Sequence, residues 1–203
     1  MRRRPSPDSL ARRRGLGLIE VMVSVAIVGT LLAVGTPSLL DLLERRRVAA
    51  VALEVANILS YARSEANTVG ENITVHLEKD PKGLVSCASA NIYHVSDLCK
   101  CYLPRASMCG AVAVPVLRVF QVKNADGVSF EATASKWGPL KNRVTFGRNT
   151  YSTSIADVQV NVKGKRTGAQ LRVELNAANR IRTCTPDGSM SGFPACSIRE
   201  AAS

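Results

Sequence analysis

The stretch RRRGLGLIEVMVSVAIVGTLLAVGTP, residues 12–37, decides how the rest of the chain folds. Three arginines lead into about twenty mostly apolar residues, the length that a helix needs to cross a bilayer. One acid, Glu20, lies near the start of the apolar run, where an unpaired carboxylate is costly. Three interpretations are open on this pattern alone: a secretory signal peptide, a plain transmembrane anchor, or a segment that is cut before the apolar run and then pairs its acid with a partner.

Residues 15–20, GLGLIE, resemble the processing site of type IV prepilins. The resemblance implies that a prepilin peptidase cuts between Gly15 and Leu16 and that the new amine of Leu16 is methylated. It also implies that Pro37 is the proline that bends the helix in this family. We therefore expect residues 1–15 to be a leader peptide and residues 16–37 to be the hydrophobic helix that spans the membrane and later forms the filament core.

Cleavage at this site would account for Glu20. A buried carboxylate is tolerated when it meets an ammonium group, and the cut creates one close to Glu20 in the chain. In a filament, the amine of a neighbouring subunit could also reach this acid. We therefore expect Glu20 to act in filament assembly. The alternative is that Glu20 lies at the headgroup level beside the basic end.

The pattern after Pro37 predicts the amphipathic half of one long helix, residues 38–69, with Gly70 as its end. Seven apolar residues fall on one helical face: Val51, Val55, Ile58, Leu59, Ala62, Ala66 and Val69. The remainder, residues 70–203, is predicted to be a β-rich head with strands at residues 73–77, 112–122, 128–133, 143–146, 155–162 and 170–175. A loop from Cys87 to Gly110 has no clear period. The predicted fold is α+β and pilin-like, a long N-terminal helix packed on an antiparallel sheet.

The chain has six cysteines, all of them after the apolar segment: Cys87, Cys99, Cys101, Cys109, Cys184 and Cys196. An even number in an exported domain favours disulfides, whereas a metal site is disfavoured because Cys99 and Cys101 lack the usual zinc spacing. We expect Cys184 to pair with Cys196, since both lie far from the other four. Those four must then pair among themselves, in an order that the sequence leaves open. No metal and no cofactor are expected.

The net charge of +11 is unevenly distributed. Residues 1–15 contribute +5, residues 16–117 contribute −1, and residues 118–203 contribute +7. A basic leader fits the positive-inside bias of membrane insertion and places the head on the opposite side of the membrane, in the periplasm. The basic C-terminal half requires a separate explanation.

Two short segments resemble the FimT/GspH group of minor pilins and pseudopilins. They are YARSEA at residues 61–66 and NRIRTC at residues 179–184, where Asn179 stands in place of a glycine that can adopt a left-handed backbone. The resemblance implies a minor pilin that contacts DNA through tail arginines during natural transformation. It equally allows a minor pseudopilin of a type II secretion system.

The residues themselves are compatible with contact to DNA phosphates. Arg180 and Arg182 alternate, so they share a face in an extended segment. Further cations lie in a candidate turn and around another strand: Lys163, Lys165, Arg166, Arg143 and Arg148. Such a surface would neutralise phosphates without reading bases. The alternative is a solvated basic surface that maintains solubility or matches an acidic neighbouring pilin.

No nucleophile elbow, phosphate-binding glycine loop or metal-protease helix occurs in the sequence, so we do not expect an enzyme. The expected partners are prepilin peptidase, other major and minor pilins, and double-stranded DNA. The expected location is the bacterial inner membrane, as a single-pass protein, and then the pilus or pseudopilus. A tethered domain that is never cleaved and never joins a filament is a further alternative.

Overall fold

The computed structural model describes residues 17–93, 99–110, 114–136, 141–147 and 156–196. Helix α1 (Leu18–Val69) comes first and includes Pro37. Eight strands follow: β1 (Ile73–Lys79), β2 (Val85–Ile92), β3 (Val116–Lys123), β4 (Val128–Lys136), β5 (Arg143–Phe146), β6 (Ala156–Gly164), β7 (Gln170–Leu175) and β8 (Ile181–Cys184). A short 3-10 turn, η1 (Asn124–Asp126), joins β3 to β4. The predicted α+β fold with a long N-terminal helix is confirmed.

The chain divides into two compact units, Met1–Leu40 and Asp41–Ser203. In the described part of the first unit, the large apolar side chains are exposed, from Leu18 at 80% to Leu40 at 44%. Helix α1 contains an 18-residue window of mean hydropathy 2.3, and it alone among the described helices is long and apolar enough to cross a membrane. Length and composition thus agree with the predicted membrane segment.

The second unit has two four-stranded antiparallel sheets rather than the single sheet that the sequence predicts. Their strand orders are β3-β2-β1-β5 (sheet A) and β4-β6-β7-β8 (sheet B). The α1 residues of this unit pack one apolar face on both sheets, and Val48, Val55 and Leu59 are fully buried there. The predicted stripe is confirmed except at Val69, the last residue of the helix, which is 50% exposed.

The predicted loop beginning at Cys87 is wrong for residues 87–92, which belong to β2. This strand was missed because its residues are small and six of its eight positions are buried, so the chain shows no alternation of large apolar and polar residues. Residues 99–110 instead cover the outer face of sheet A through the disulfides Cys87–Cys101 and Cys99–Cys109. Together with Cys184–Cys196, the bridges agree with the predicted framework, and the pairing that the sequence left open is now assigned.

Candidate nucleic-acid interface

The C-terminal tail begins with a tight turn that precedes β8. Asn176 forms it by accepting hydrogen bonds on Oδ1 from the backbone N–H groups of Ala178 (3.1 Å) and Arg180 (2.9 Å). Asn179 adopts φ 60°, the left-handed conformation that Asn tolerates better than most residues. The substitution of Asn for glycine in this motif therefore preserves the turn.

Arg180 and Arg182 follow this turn, and both are exposed. Arg182 donates from Nη2 to the carbonyl of Ala195 at 3.0 Å, which leaves other N–H groups of its guanidinium for a ligand. The Cys184–Cys196 disulfide links the end of β8 to the residue that follows Ala195. The tail is thus held by a turn at one end and by a covalent bridge at the other.

An acid lies across from one of these arginines. In the β7–β8 register Arg182 is opposite Glu174, which is only 3% exposed. Glu174 also lies near the sulfur atoms of Cys184 and Cys196, with all three ligand atoms within 4.8 Å of one another. Because the two sulfurs are joined in a disulfide, they are not thiolates, and this group lacks the ligands of a metal site.

Helix α1 contacts the tail turn directly. The Nη1 group of Arg63 donates a 2.8 Å hydrogen bond to the carbonyl oxygen of Asn179. Beside this bond lies an open polar groove of about 420 Å³, lined by Ser60, Arg63, Ser64, Asn67 and Ile181. The two short segments that resemble the FimT/GspH group are therefore in contact. The sequence analysis did not assign Arg63 a role, and only the presence of both segments in one chain hinted at the contact.

Three of the predicted cations, all exposed, lie at the end of β6 and in the turn to β7: Lys163 is on the strand, and Lys165 and Arg166 are on the turn. The backbone of this turn is bound to helix α1, because the N–H groups of Arg166 and Thr167 donate to the two carboxylate oxygens of Glu44 at 2.8 and 2.6 Å. The Arg166 guanidinium forms an ion pair with Asp41 at 3.0 Å. Of the three cations, Arg166 is thus already engaged by an acid of its own chain.

Glu44 is nearly buried, at 7% exposure. Burial raises the pKa of this carboxyl, but the hydrogen bonds from Arg166 and Thr167 outweigh burial and hold the pKa below its usual value. Gly164 permits this close approach, since a Cβ there would lie 3.0 Å from the Glu44 Cδ and 3.2 Å from the Val48 Cγ2. The turn is therefore fixed to the helix by an ionised acid.

One further predicted cation, Arg143, lies in a different sheet from the tail. Arg143 lies in sheet A, opposite His76 in the β1–β5 register, whereas Arg180 and Arg182 belong to sheet B. Burial raises the pKa of nearby Glu78, although His76 and Arg143 oppose this shift. Glu20 is exposed in the first turn of α1. Arg148, Gly15 and Leu16 lie outside the described residues.

Residues 10–36 match the family described as the prokaryotic N-terminal methylation motif. The match includes Gly15, Leu16 and Glu20, and it confirms the prediction of a prepilin-type N-terminal segment. Comparison with curated protein sequences gives no significant match.

Two kinds of solved structure are similar to the chain. The minor pseudopilin EpsH from the Type 2 Secretion System of Vibrio cholerae is 12% identical, with a TM-score of 0.45, over 69% of this chain and 98% of that one. The type IV minor pilin FimU of Pseudomonas aeruginosa PAO1 is 20% identical, with a TM-score of 0.47, over 68% of this chain and 89% of that one. At these identities and TM-scores, neither structure assigns the chain to one kind of filament.

Proposed function

We propose that this chain, which carries a prepilin-type methylation motif, is a minor pilin of a type IV pilus, FimT-like, that binds double-stranded DNA non-specifically during DNA uptake and takes part in pilus assembly. The leader is removed between Gly15 and Leu16, and Leu16 is methylated. Glu20 pairs with an amine in the filament. The inner membrane holds the chain before assembly, with the head in the periplasm.

One observation supports DNA binding more than the others do: the exposed arginines Arg180 and Arg182 lie on a braced tail, by which we mean a segment fixed by three interactions. The Asn176 turn precedes the two arginines, and the Cys184–Cys196 disulfide follows them. Arg63 of α1 donates a hydrogen bond to the carbonyl oxygen of Asn179 in that turn. A cation on a braced segment loses little conformational entropy when it binds a phosphate. A solvated surface that only maintains solubility would not need this bracing.

Residues 176–196, the part of the tail that the structure describes, present no helix to a major groove, so the expected contact is with phosphates and carries little sequence preference. Lys163, on the outer face of sheet B, and Lys165, on the adjoining turn, extend this contact by smaller contributions. Arg166 contributes less than the sequence suggests, since Asp41 is already its partner. Arg143 and Arg148 remain candidates without a demonstrated place beside the tail.

The second candidate function is that of a GspH-like minor pseudopilin of a type II secretion system. This function is favoured because Glu174 lies opposite Arg182 and offsets part of the positive charge of the tail. A titration of labelled duplex with the chain that begins at Leu16 distinguishes the two. A DNA-uptake pilin should bind with Kd of roughly 10⁻⁴–10⁻⁶ M near physiological salt, and more tightly as salt is lowered. Absence of binding at low salt would favour the secretion protein.

A further inference from the structure

A second group of cations, of which only Lys165 was considered above, lies where the first α1 residues of the second unit meet three turns of the head. Three turns meet at this end through hydrogen bonds between their backbones. Asn124 donates from its backbone N–H to the Leu84 carbonyl at 2.7 Å, and the Lys165 N–H donates to the Gly127 carbonyl at 2.9 Å. The bonds from Arg166 and Thr167 to Glu44 then place the same turns beside the first residues of α1 in this unit.

Six exposed cations occupy these turns and the adjoining helix, and we call them the basic collar. They are Arg45, Arg46, Arg47, Lys82, Lys123 and Lys165. Two of the arginines are positioned by the head, because Arg45 donates to the Ser189 carbonyl and Arg47 donates to the Asp126 carbonyl at 3.0 Å. The turns that carry the collar are therefore held together through their backbones, and two of its six side chains are positioned as well.

The acids near the collar do not cancel its charge. Asp41 is paired with Arg166, and Glu44 is occupied by two backbone N–H groups. Glu44 keeps its negative charge, so four acids (Glu44, Asp80, Asp126 and Asp187) remain against six cations, which leaves an excess of about two positive charges by the formal charges of these side chains. An anionic partner is thus favoured at this end of the head.

Exposed apolar side chains lie beside these cations. Leu84 is 60% exposed on the same turn as Lys82, and Leu43 is 42% exposed two residues before Arg45. The phosphate backbone of a nucleic acid offers no apolar surface to exposed leucines. The boundary between lipid headgroups and acyl chains accommodates both leucine and arginine. The combination favours a membrane surface over DNA.

Chain connectivity keeps three members of the collar, Arg45–Arg47, near the end of the apolar segment. Arg45–Arg47 follow Pro37, the end of the predicted membrane segment, by eight to ten residues, which span about 12–15 Å along helix α1. The headgroup layer is about 5–8 Å thick on each side of a bilayer, and an arginine side chain adds further reach. If the apolar segment is in the membrane, Arg45–Arg47 come within reach of the phosphates of the leaflet that faces the head.

We propose that the basic collar binds the headgroups of anionic phospholipids and seats the head on the membrane before the subunit enters the filament. The proposal rests on membrane anchoring, which is part of the proposed function, but it is independent of DNA binding. Lipid phosphates accept several guanidinium hydrogen bonds at once, and Arg is suited to such planar contacts. Extraction into a filament would then have to break these contacts.

The test uses the full chain in neutral detergent with equimolar phosphatidylglycerol and phosphatidylcholine, and native mass spectrometry measures which lipid stays bound. Each cation near an anionic surface favours binding by about fivefold, so Arg45→Gln/Arg46→Gln/Arg47→Gln should lower the phosphatidylglycerol-to-phosphatidylcholine ratio by roughly tenfold or more. The matched control, Lys163→Gln/Arg180→Gln/Arg182→Gln, loses the same charge from β6 and the tail and should keep the wild-type ratio. The leader is common to all variants, so it does not affect the differences.

A second variant is needed because Arg45 and Arg47 also donate hydrogen bonds to the head, so the first variant could lose lipid by misfolding. Lys82→Gln/Lys123→Gln/Lys165→Gln removes cations whose side chains make no hydrogen bond or ion pair within the described residues, and it should also lower the ratio. An unchanged ratio in both collar variants would overturn the proposal, as would an equal fall in the tail control. If both collar variants keep the lipid ratio and Arg45→Gln/Arg46→Gln/Arg47→Gln, which leaves Lys165 in place, loses duplex affinity, the collar binds nucleic acid instead, and the proposal is wrong.

Discussion

Arg63 and Asn179 are 116 residues apart in the chain, and the 2.8 Å hydrogen bond between them connects the helix to the tail. The left-handed backbone at Asn179 could be predicted from sequence, because few other residues adopt that conformation at low cost. The contact with Arg63 could not, because nothing local to either residue specifies a partner so distant in the chain. Local chemistry therefore predicted the turn, while the structure was needed to show what holds it.

Arg63→Gln should weaken duplex binding by about fivefold, since one hydrogen bond contributes about 1 kcal/mol to holding the tail turn. The dependence of affinity on salt should stay unchanged, because Arg63 positions the turn and does not itself contact phosphate. Amide hydrogen exchange at residues 179–182 should become faster even without DNA. Affinity and exchange, measured on the same preparation, check the prediction.

The matched control is Arg105→Gln in the disulfide-bonded loop. It removes another exposed arginine that donates to a backbone carbonyl, in this case that of Val116. It should change neither affinity nor exchange in the tail. A fall in the salt slope of about 0.9 for Arg63→Gln would show instead that Arg63 binds a phosphate directly. Unchanged exchange at the tail would contradict the positioning role.

At the scale of elements, the contact between α1 and the β6–β7 turn depends on Glu44. The helical pattern predicted which face of α1 is buried, because apolar spacing is a property of consecutive residues. It did not predict an acid on that face, since the two backbone donors come from residues more than 120 positions later. The division of the strands into two sheets was missed for a similar reason: the pattern sets which side chains face the core, but not which strands become neighbours.

Glu44→Gln should destabilise the head by about 1.5–3 kcal/mol at neutral pH, because an amide cannot accept from both N–H groups as a carboxylate does. Since folding lowers the pKa of Glu44 from 4.5, its contribution is fully present above that pH and is lost as pH falls through the lower pKa of the folded state. The difference from wild type should therefore shrink in acid. Urea unfolding followed by circular dichroism at several pH values measures it.

Asp41→Asn is the control for this element, since it removes the half-exposed ion pair with Arg166 while leaving Glu44 in place. Exposed pairs contribute about 0–1 kcal/mol, so this variant should differ little from wild type. Equal losses for the two variants would mean that surface charge, and not the buried hydrogen bonds, holds the turn to the helix.

At the scale of the whole molecule, processing separates a filament subunit from a permanently tethered domain. We expect the membrane-bound form to begin at Leu16, because the cut frees the amine that compensates Glu20. Intact mass measurement of chain isolated from cells with prepilin peptidase should show this N-terminus, and cells that lack the peptidase provide the control. A chain that keeps Met1 in both, or one that is cut near Gly35, would contradict the pilin interpretation.

The central claim is that the braced tail binds DNA through Arg180 and Arg182, and its most direct test is a titration of labelled duplex at several salt concentrations. The chain should begin at Leu16, so that the leader arginines do not contribute. Wild type is compared with Arg180→Gln/Arg182→Gln and with Lys79→Gln/Lys141→Gln, which removes two exposed cations elsewhere. The tail variant should bind more weakly and lose about 1.8 from the salt slope, while the control keeps that slope. Equal affinity and slope for wild type and the tail variant would show that the tail is not the DNA site.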